Sequence, residues 1–230
     1  EVIDVGARKR RFLVKKKLDI IQFSPDGSSI LTSLDGNATL LSTSDGKQLW
    51  QSEDFNDGCF TSDGKSIIAL PLMSPLELVW FDAKNGKKAK SLKWKPPEKA
   101  DRTAYPQPRA VSPGDGIIYL ADGINGGIAP VEAASGRGIR ELQIVSTDQE
   151  GPFGPCLTKD GKWMAGLSMK AAEEGNTAFT LRLWNTEGWK EEKTITLEPK
   201  GPANIPGELS GDGRLFLIGI GQEIRIYRLD

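Results

Sequence analysis

The chain has 230 residues, 38% of them hydrophobic and 27% charged, with a net charge of −1, enough material for one large all-β domain or two ordinary ones. No apolar run approaches the roughly 20 residues that a membrane-spanning helix needs, and the N-terminus lacks the charged-then-apolar pattern of a signal peptide. There is no histidine, which removes the Ser-His-Asp triad, the Cys-His dyad, the imidazole base and every His-ligated metal centre and leaves an enzyme only carboxylate, Lys or Tyr chemistry.

In chain order, residue 1 is Glu rather than Met, so a targeting signal could have left with whatever preceded it. Glu1-Val2-Ile3-Asp4 resembles the end of a strand that precedes a turn. Arg8, Lys9, Arg10, Arg11, Lys15, Lys16 and Lys17 follow with no acid among them, a basic stripe on an otherwise acidic chain. Within it, Arg11-Phe12-Leu13-Val14-Lys15 has the pattern of an edge strand, where lysines guard against edge pairing.

From there on, one turn recurs. It appears as Phe23-Ser24-Pro25-Asp26-Gly27, Phe60-Thr61-Ser62-Asp63-Gly64, Ser112-Pro113-Gly114-Asp115-Gly116, Leu157-Thr158-Lys159-Asp160-Gly161 and Leu209-Ser210-Gly211-Asp212-Gly213. Gly supplies the positive φ that closes a tight hairpin, and Asp before it bonds back to the backbone. Each copy precedes a strongly β-prone run such as Ser29-Ile30-Leu31-Thr32, Ser66-Ile67-Ile68-Ala69-Leu70 or Leu215-Phe216-Leu217-Ile218. A second turn follows most of them, at Ser44-Asp45-Gly46, Lys84-Asn85-Gly86, Ala134-Ser135-Gly136 and Thr186-Glu187-Gly188. The first turns recur at steps of 37, 52, 45 and 52 residues, and four strands in about 40–45 residues is the period of a propeller blade. The third strand ends in an aromatic and a polar residue in Trp80-Phe81-Asp82, Leu183-Trp184-Asn185 and Ile226-Tyr227-Arg228.

These segments resemble the WD-repeat family, whose blades carry a Ser-Pro-Asp-Gly-like turn and end their third strand in Trp-Asp, over about residues 18–230. The resemblance implies a single all-β domain over 1–230, a β-propeller of four-stranded antiparallel blades with five repeats at about 18–53, 54–95, 105–146, 153–198 and 205–230. The chain departs from the family at Ser42 and Val131, which take the Trp position, and in lacking the His of the family's hydrogen-bonded network. The fifth repeat ends after its third strand. Either residues 11–15 supply the outer strand and close a five-bladed ring, or Glu1–Asp4 is the tail of another repeat in a larger ring. Trp184, Phe81, Tyr227 and Trp163 are expected to pack between blades, whereas Trp189, just past a second turn, is expected to tolerate replacement.

The family usually binds partners where the inter-blade loops and second-to-third-strand loops emerge. Those loops hold Phe55, Met73, Tyr105, Ile124, Phe153 and Met169, the expected partner-binding residues. The function expected is a non-catalytic protein–protein scaffold, without cofactor, metal or membrane. Two other readings stay open: a glycosidase-type carboxylate enzyme, for which the innermost strands offer mainly Asp19 and Glu208, and nucleic-acid binding through Arg8, Lys9, Arg10 and Arg11. Asp35-Gly36-Asn37 and the stretch 122–127 lack metal- or phosphate-loop spacing and are expected to be turns. Cys59 and Cys156, too few for a disulfide framework, are expected as free buried thiols of a cytoplasmic protein.

Overall fold

The computed structural model describes residues 2–4, 9–12, 21–34, 37–55, 58–71, 77–94, 107–122, 127–139, 152–171, 177–197, 207–210, 212–220 and 223–229. The chain divides into two compact units, Glu1–Lys95 and Pro96–Asp230.

In the first unit β1 (Val2–Asp4) pairs with β2 (Lys9–Phe12). The next blade is β3 (Ile21–Phe23), β4 (Ser29–Leu34), β5 (Asn37–Ser42) and β6 (Gln48–Ser52), in that spatial order. A second full blade follows as β7 (Gly58–Phe60), β8 (Ser66–Ala69), β9 (Glu77–Asp82) and β10 (Lys88–Lys93). In the second unit β11 (Gln107–Val111), β12 (Ile117–Asp122) and β13 (Gly127–Glu132) form the third blade, with a single bridge from Val131 to Gly138 beyond it. The fourth is β14 (Pro152–Leu157), β15 (Trp163–Ala171), β16 (Thr177–Asn185) and β17 (Lys190–Leu197), and the fifth is β18 (Glu208–Leu209), β19 (Leu215–Ile220) and β20 (Glu223–Arg228). All pairings are antiparallel and follow chain order. Among the described residues the only helical piece is a 3-10 turn at Pro113–Asp115.

The recurring hydroxyl explains the first turn. Ser24 Oγ donates to Asp26 Oδ1 at 2.7 Å and accepts from the Ser29 N–H at 3.0 Å. Thr61, Thr158 and Ser210 do the same with Asp63, Asp160 and Asp212. Each carboxylate also accepts a backbone N–H two residues on. The third turn is shifted by one residue from its sequence pattern: Asp115, at φ 57, takes the left-handed place that Gly27 takes in the first. A second constant ties the blade's two turns to one end. The N–H of Thr43, Ala83, Ala133, Thr186 and Leu229 donates to the carbonyl of Ser28, Lys65, Gly116, Lys162 and Arg214 respectively.

The outer hairpin has a fixed register too. Leu40 faces Trp50 while Leu41 faces Gln48, skipping Leu49; Trp80 faces Lys90 while Phe81 faces Lys88; Leu183 faces Lys193 while Trp184 faces Glu191. Leu41, not Ser42, therefore holds the aromatic position of the first full blade. In β1–β2, Val2 faces Phe12 while Ile3 faces Arg10, the same bulge at the same place. Of the two readings of the N-terminus, the pairing of β2 with β1 in the register of a third and a fourth strand fits the tail of a repeat. Of residues 11–15, Leu13–Lys15 lie outside the described residues.

Blades meet through apolar faces. Leu31, Leu40 and Trp50 of one blade pack with Phe60, Ile67, Val79 and Phe81 of the next. In the second unit Ala165, Leu181 and Leu183 pack with Phe216, Ile218 and Leu229, with Tyr227 and Trp163 half-buried at the edge. Trp184 packs with Ala110, Tyr119 and Met164 between the third and fourth blades, as expected for an inter-blade aromatic. At the rim, Trp50 Nε1 donates to Ala83 O at 2.8 Å and Lys193 Nζ to Leu229 O at 2.6 Å, the same position in two blades reaching the same position in the next.

The turn hydroxyls and N–H groups favour the charged carboxylate, holding Asp26 down at about 2 and Asp63, Asp160 and Asp212 below their ordinary value. A lowered carboxyl contributes stability above its unfolded pKa and loses it as pH falls through its folded one. Thermal melts should therefore fall progressively from pH 4 toward pH 2, and less steeply in a chain carrying Asn at positions 26, 63, 160 and 212. Parallel curves for the two proteins would contradict this.

Candidate functional site

Antiparallel order places both turns of a blade at one end and the second-to-third-strand and inter-blade connections at the other. At the turn end the described first turns of four blades share one hydroxyl–carboxylate bond and all five share one backbone clamp. The loop end is uneven: β15 and β16 have nine residues each, against six in β4, β5, β12, β13, β19 and β20. The extra pairs, Met169 with Phe179, Lys170 with Ala178 and Ala171 with Thr177, lie at the loop end.

The six expected partner-binding residues are not brought together on described surface. Phe55 is a correction: it is fully buried, its ring 4.3 Å from Phe81 and 6.5 Å from Trp50, and its carbonyl accepts the Ala38 N–H. The loop after β6 folds back beneath the sheet, and a large ring so placed gains more from the apolar junction than from water. Phe153 and Met169 lie in β14 and β15 rather than in loops, facing Leu167 and Phe179 across the sheet; their side chains, with Met73, Tyr105 and Ile124, lie outside the described residues. So do Asp35, Gly36, Asp19 and most of the basic stripe, of which Lys9–Phe12 forms β2.

Glu208 is the described acid with the most altered chemistry. On β18, the innermost strand of its blade, it has solvent-exposed area, yet surrounding protein desolvates the carboxyl and pushes its pKa up to about 7. Water contact and surrounding protein pull in opposite directions, and the net shift is upward. A raised carboxyl favours the fold while protonated, so this contribution is complete below the unfolded value near 4.5 and is lost as pH rises through 7. Cys156, on the innermost strand of the preceding blade, has its thiol pushed up by burial and by the Glu208 charge. That is the opposite of a reactive thiolate. Neither cysteine is in a disulfide. Among the described residues no group of three His, Cys, Asp or Glu side chains could hold a metal, and no helix is long and apolar enough to cross a membrane.

Trp189 was missed as a structural residue. It sits at the place of Gly46 and Gly86, with φ 51, and its ring lies against Tyr119 of the preceding blade, centroids 5.6 Å apart and planes tilted by 43°. The left-handed backbone costs about 1–2 kcal/mol, which the packing of the ring against Tyr119 and its neighbours offsets. Trp189→Ala keeps most of that strain and loses the ring. It should lower stability by about 2–3 kcal/mol in chemical denaturation, whereas a loss within about 0.5 kcal/mol would mean that the ring only covers the surface.

No protein-family model matches the chain, and no curated protein matches it in sequence. Solved structures do. Hydrazine synthase of Kuenenia stuttgartiensis superposes with a TM-score of 0.60 at 16% identity over 94% of this chain, which spans 65% of the length of that one. A protein of Agrobacterium tumefaciens assigned as TolB superposes at 0.63 and 16% identity, covering 97% of this chain and 81% of its own. The Dos1 propeller superposes at 0.57 and 12% identity over 93% of this chain and 56% of the other. At such identities the likeness concerns the fold alone, and together with the repeated blades it makes the fold a β-propeller.

Proposed function

We propose that this chain is a non-catalytic scaffold that binds another protein at the loop end of its blades. The observation that carries this reading is the inequality of the two ends. The turn end repeats one backbone clamp in all five blades and one hydroxyl–carboxylate turn in four, while the loop end carries the length variation, including the extended β15–β16 hairpin. Binding residues concentrate on variable loops held by a rigid scaffold. With Phe55 withdrawn into the core, the binding set is Met73, Tyr105, Ile124, Phe153 and Met169. Two thiols outside any disulfide support a reducing compartment, and we place the protein in the cytoplasm.

Affinity capture with the intact chain identifies the partner. Tyr105→Ala and Phe153→Ala should then each weaken binding by about tenfold or more with the melting temperature nearly unchanged, and charge reversal at Lys15–Lys17 should matter little. Unchanged affinity in both variants would sink the reading. Binding that falls steeply with added salt and follows the basic stripe would move nucleic acid ahead, since counterion release makes phosphate contacts salt-dependent.

Glu208 favours a second reading, a carboxylate enzyme, because a carboxyl held protonated near neutrality is what a general acid requires. Such chemistry needs a second carboxylate within about 5–9 Å. Hydrolysis of aryl glycosides by the intact chain, abolished in Glu208→Gln, would establish it; no turnover by the wild-type chain would remove it.

A further inference from the structure

Six Asp-Gly pairs lie wholly within the described residues, at Asp26, Asp45, Asp63, Asp115, Asp160 and Asp212. Such a pair is chemically labile. The glycine nitrogen can attack the aspartate Cγ and close a succinimide ring with loss of water, and a residue without Cβ hinders that attack least. Water then opens the ring at either carbonyl. Opening at the α-carbonyl leaves the chain running through the β-carboxyl as an isoaspartate, with no net gain or loss of atoms. Five of the six pairs are tied at both ends by the turn they build. Gly27, Gly64, Gly161 and Gly213 donate their N–H to the carbonyl of Ser24, Thr61, Thr158 and Ser210 at 2.8–2.9 Å, and Gly46 donates to Ser42 O at 2.9 Å. The five carboxylates accept the N–H two residues on, from Ser28, Lys65, Lys162, Arg214 and Lys47. Bonds from the turn hydroxyl at Asp26, Asp160 and Asp212, from the Lys65 N–H at Asp63 and from the Lys47 ammonium at Asp45 lead in holding these carboxyls below their ordinary value. The charged form they favour is a poor electrophile.

The register shift of the third turn sets its pair apart. Ser112 donates its N–H to Ile117 O and accepts the Ile117 N–H on its Oγ, as Ser24 does with Ser29. Gly114 therefore stands in the place of Asp26, Asp115 in that of Gly27 and Gly116 in that of Ser28. Ser112 O takes the N–H of Asp115, not that of Gly116. Nor does Gly114 carry a carboxylate that could accept the Gly116 N–H, as Asp26 accepts that of Ser28. Among the described residues, the nucleophile of this one pair thus has neither of the bonds that hold its counterparts, and it lies exposed at φ −76. We propose that Asp115-Gly116 is the site at which the folded chain converts aspartate to isoaspartate, while the other five turns protect their pairs from the same reaction. The methylene that isoaspartate adds to the backbone falls between two anchors of the third blade, the Asp115 N–H on Ser112 O and the Ala133 N–H on Gly116 O. Pro113, whose ring lies on Gly161, is two residues away. The modification therefore acts on the contact between the third and fourth blades.

For the test, the intact chain is held folded at neutral pH in water enriched in heavy oxygen, digested and mapped by electron-transfer fragmentation. This separates the two linkages and registers the oxygen taken up when the ring opens. Attack requires the glycine N–H to be released first, so isoaspartate should accumulate about tenfold faster at residue 115 than at residues 26, 45, 63, 160 or 212. In urea, where no turn is formed, the six sites should converge. Gly114→Asp together with Asp115→Gly moves the pair by one residue into the register of Ser24-Pro25-Asp26-Gly27, and conversion at the relocated pair should fall to the rate of the other five. The proposal is overturned if the folded chain converts all six pairs at similar rates or another of them first. It is equally overturned if residue 115 keeps its lead in urea, or if the double variant reacts as fast as the parent chain.

Discussion

The constraint on which the rest depends is the close approach, within each unit, of one blade to the turn of the next. A side chain from one blade lies flat on a left-handed turn residue of its neighbour: the Phe12 ring on Gly46, the Trp50 ring on Gly86, the Pro113 ring on Gly161. A Cβ at Gly46 or Gly161 would stand 2.6 or 2.4 Å from that ring. The turn residue must therefore accept positive φ and also present nothing beyond its backbone. Both demands select glycine. Once blades are this close, the apolar faces behind the turns are sealed from water, and the rim groups Trp50 and Lys193 can reach a carbonyl of the following blade.

Trp189 shows what happens when the arrangement is inverted. In the fourth blade the aromatic stands on the turn and reaches back to Tyr119, instead of reaching forward from the preceding blade's outer strand. The junction keeps its aromatic contact and accepts a strained backbone for it. The blades keep their order in a chain without histidine. The hydroxyl–carboxylate turn and the clamp from the third strand to the first turn use only Ser, Thr, Asp and main chain.

The strand order, the turn end and the inter-blade role of Trp184 were legible in the sequence because a short local pattern determines each. The Asp-Gly turn needs only its own hydroxyl and glycine, so it survives in a degenerate repeat. Where a pattern admits two registers, sequence reading slipped by one: Ser112-Pro113-Gly114-Asp115-Gly116 could place either Gly116 or Asp115 at the position of Gly27, and it is Asp115 that takes it, while Leu41 lies next to Ser42. The N-terminal hairpin was ambiguous because Val2-Ile3-Asp4 is too short to show its bulge. Phe55 was misplaced for a different reason. Nothing local distinguishes a loop aromatic that faces water from one that turns under the sheet, since the contact with Phe81 spans 26 residues of chain.

The most direct test of the blade-contact account compares two glycines in identical turns. Gly27 and Gly161 have φ of 70° and 71°, but a Cβ on Gly27 meets nothing within 4 Å while one on Gly161 meets Pro113 at 2.4 Å. Denaturant unfolding of Gly27→Ala should show only the left-handed backbone penalty of about 1–2 kcal/mol. Gly161→Ala should lose clearly more, by about 1–3 kcal/mol, and a Pro113→Ala background should recover much of that excess. Equal losses at the two glycines, unaffected by Pro113→Ala, would mean that the turns are selected for their own conformation and that the close approach of blades does not organise the fold.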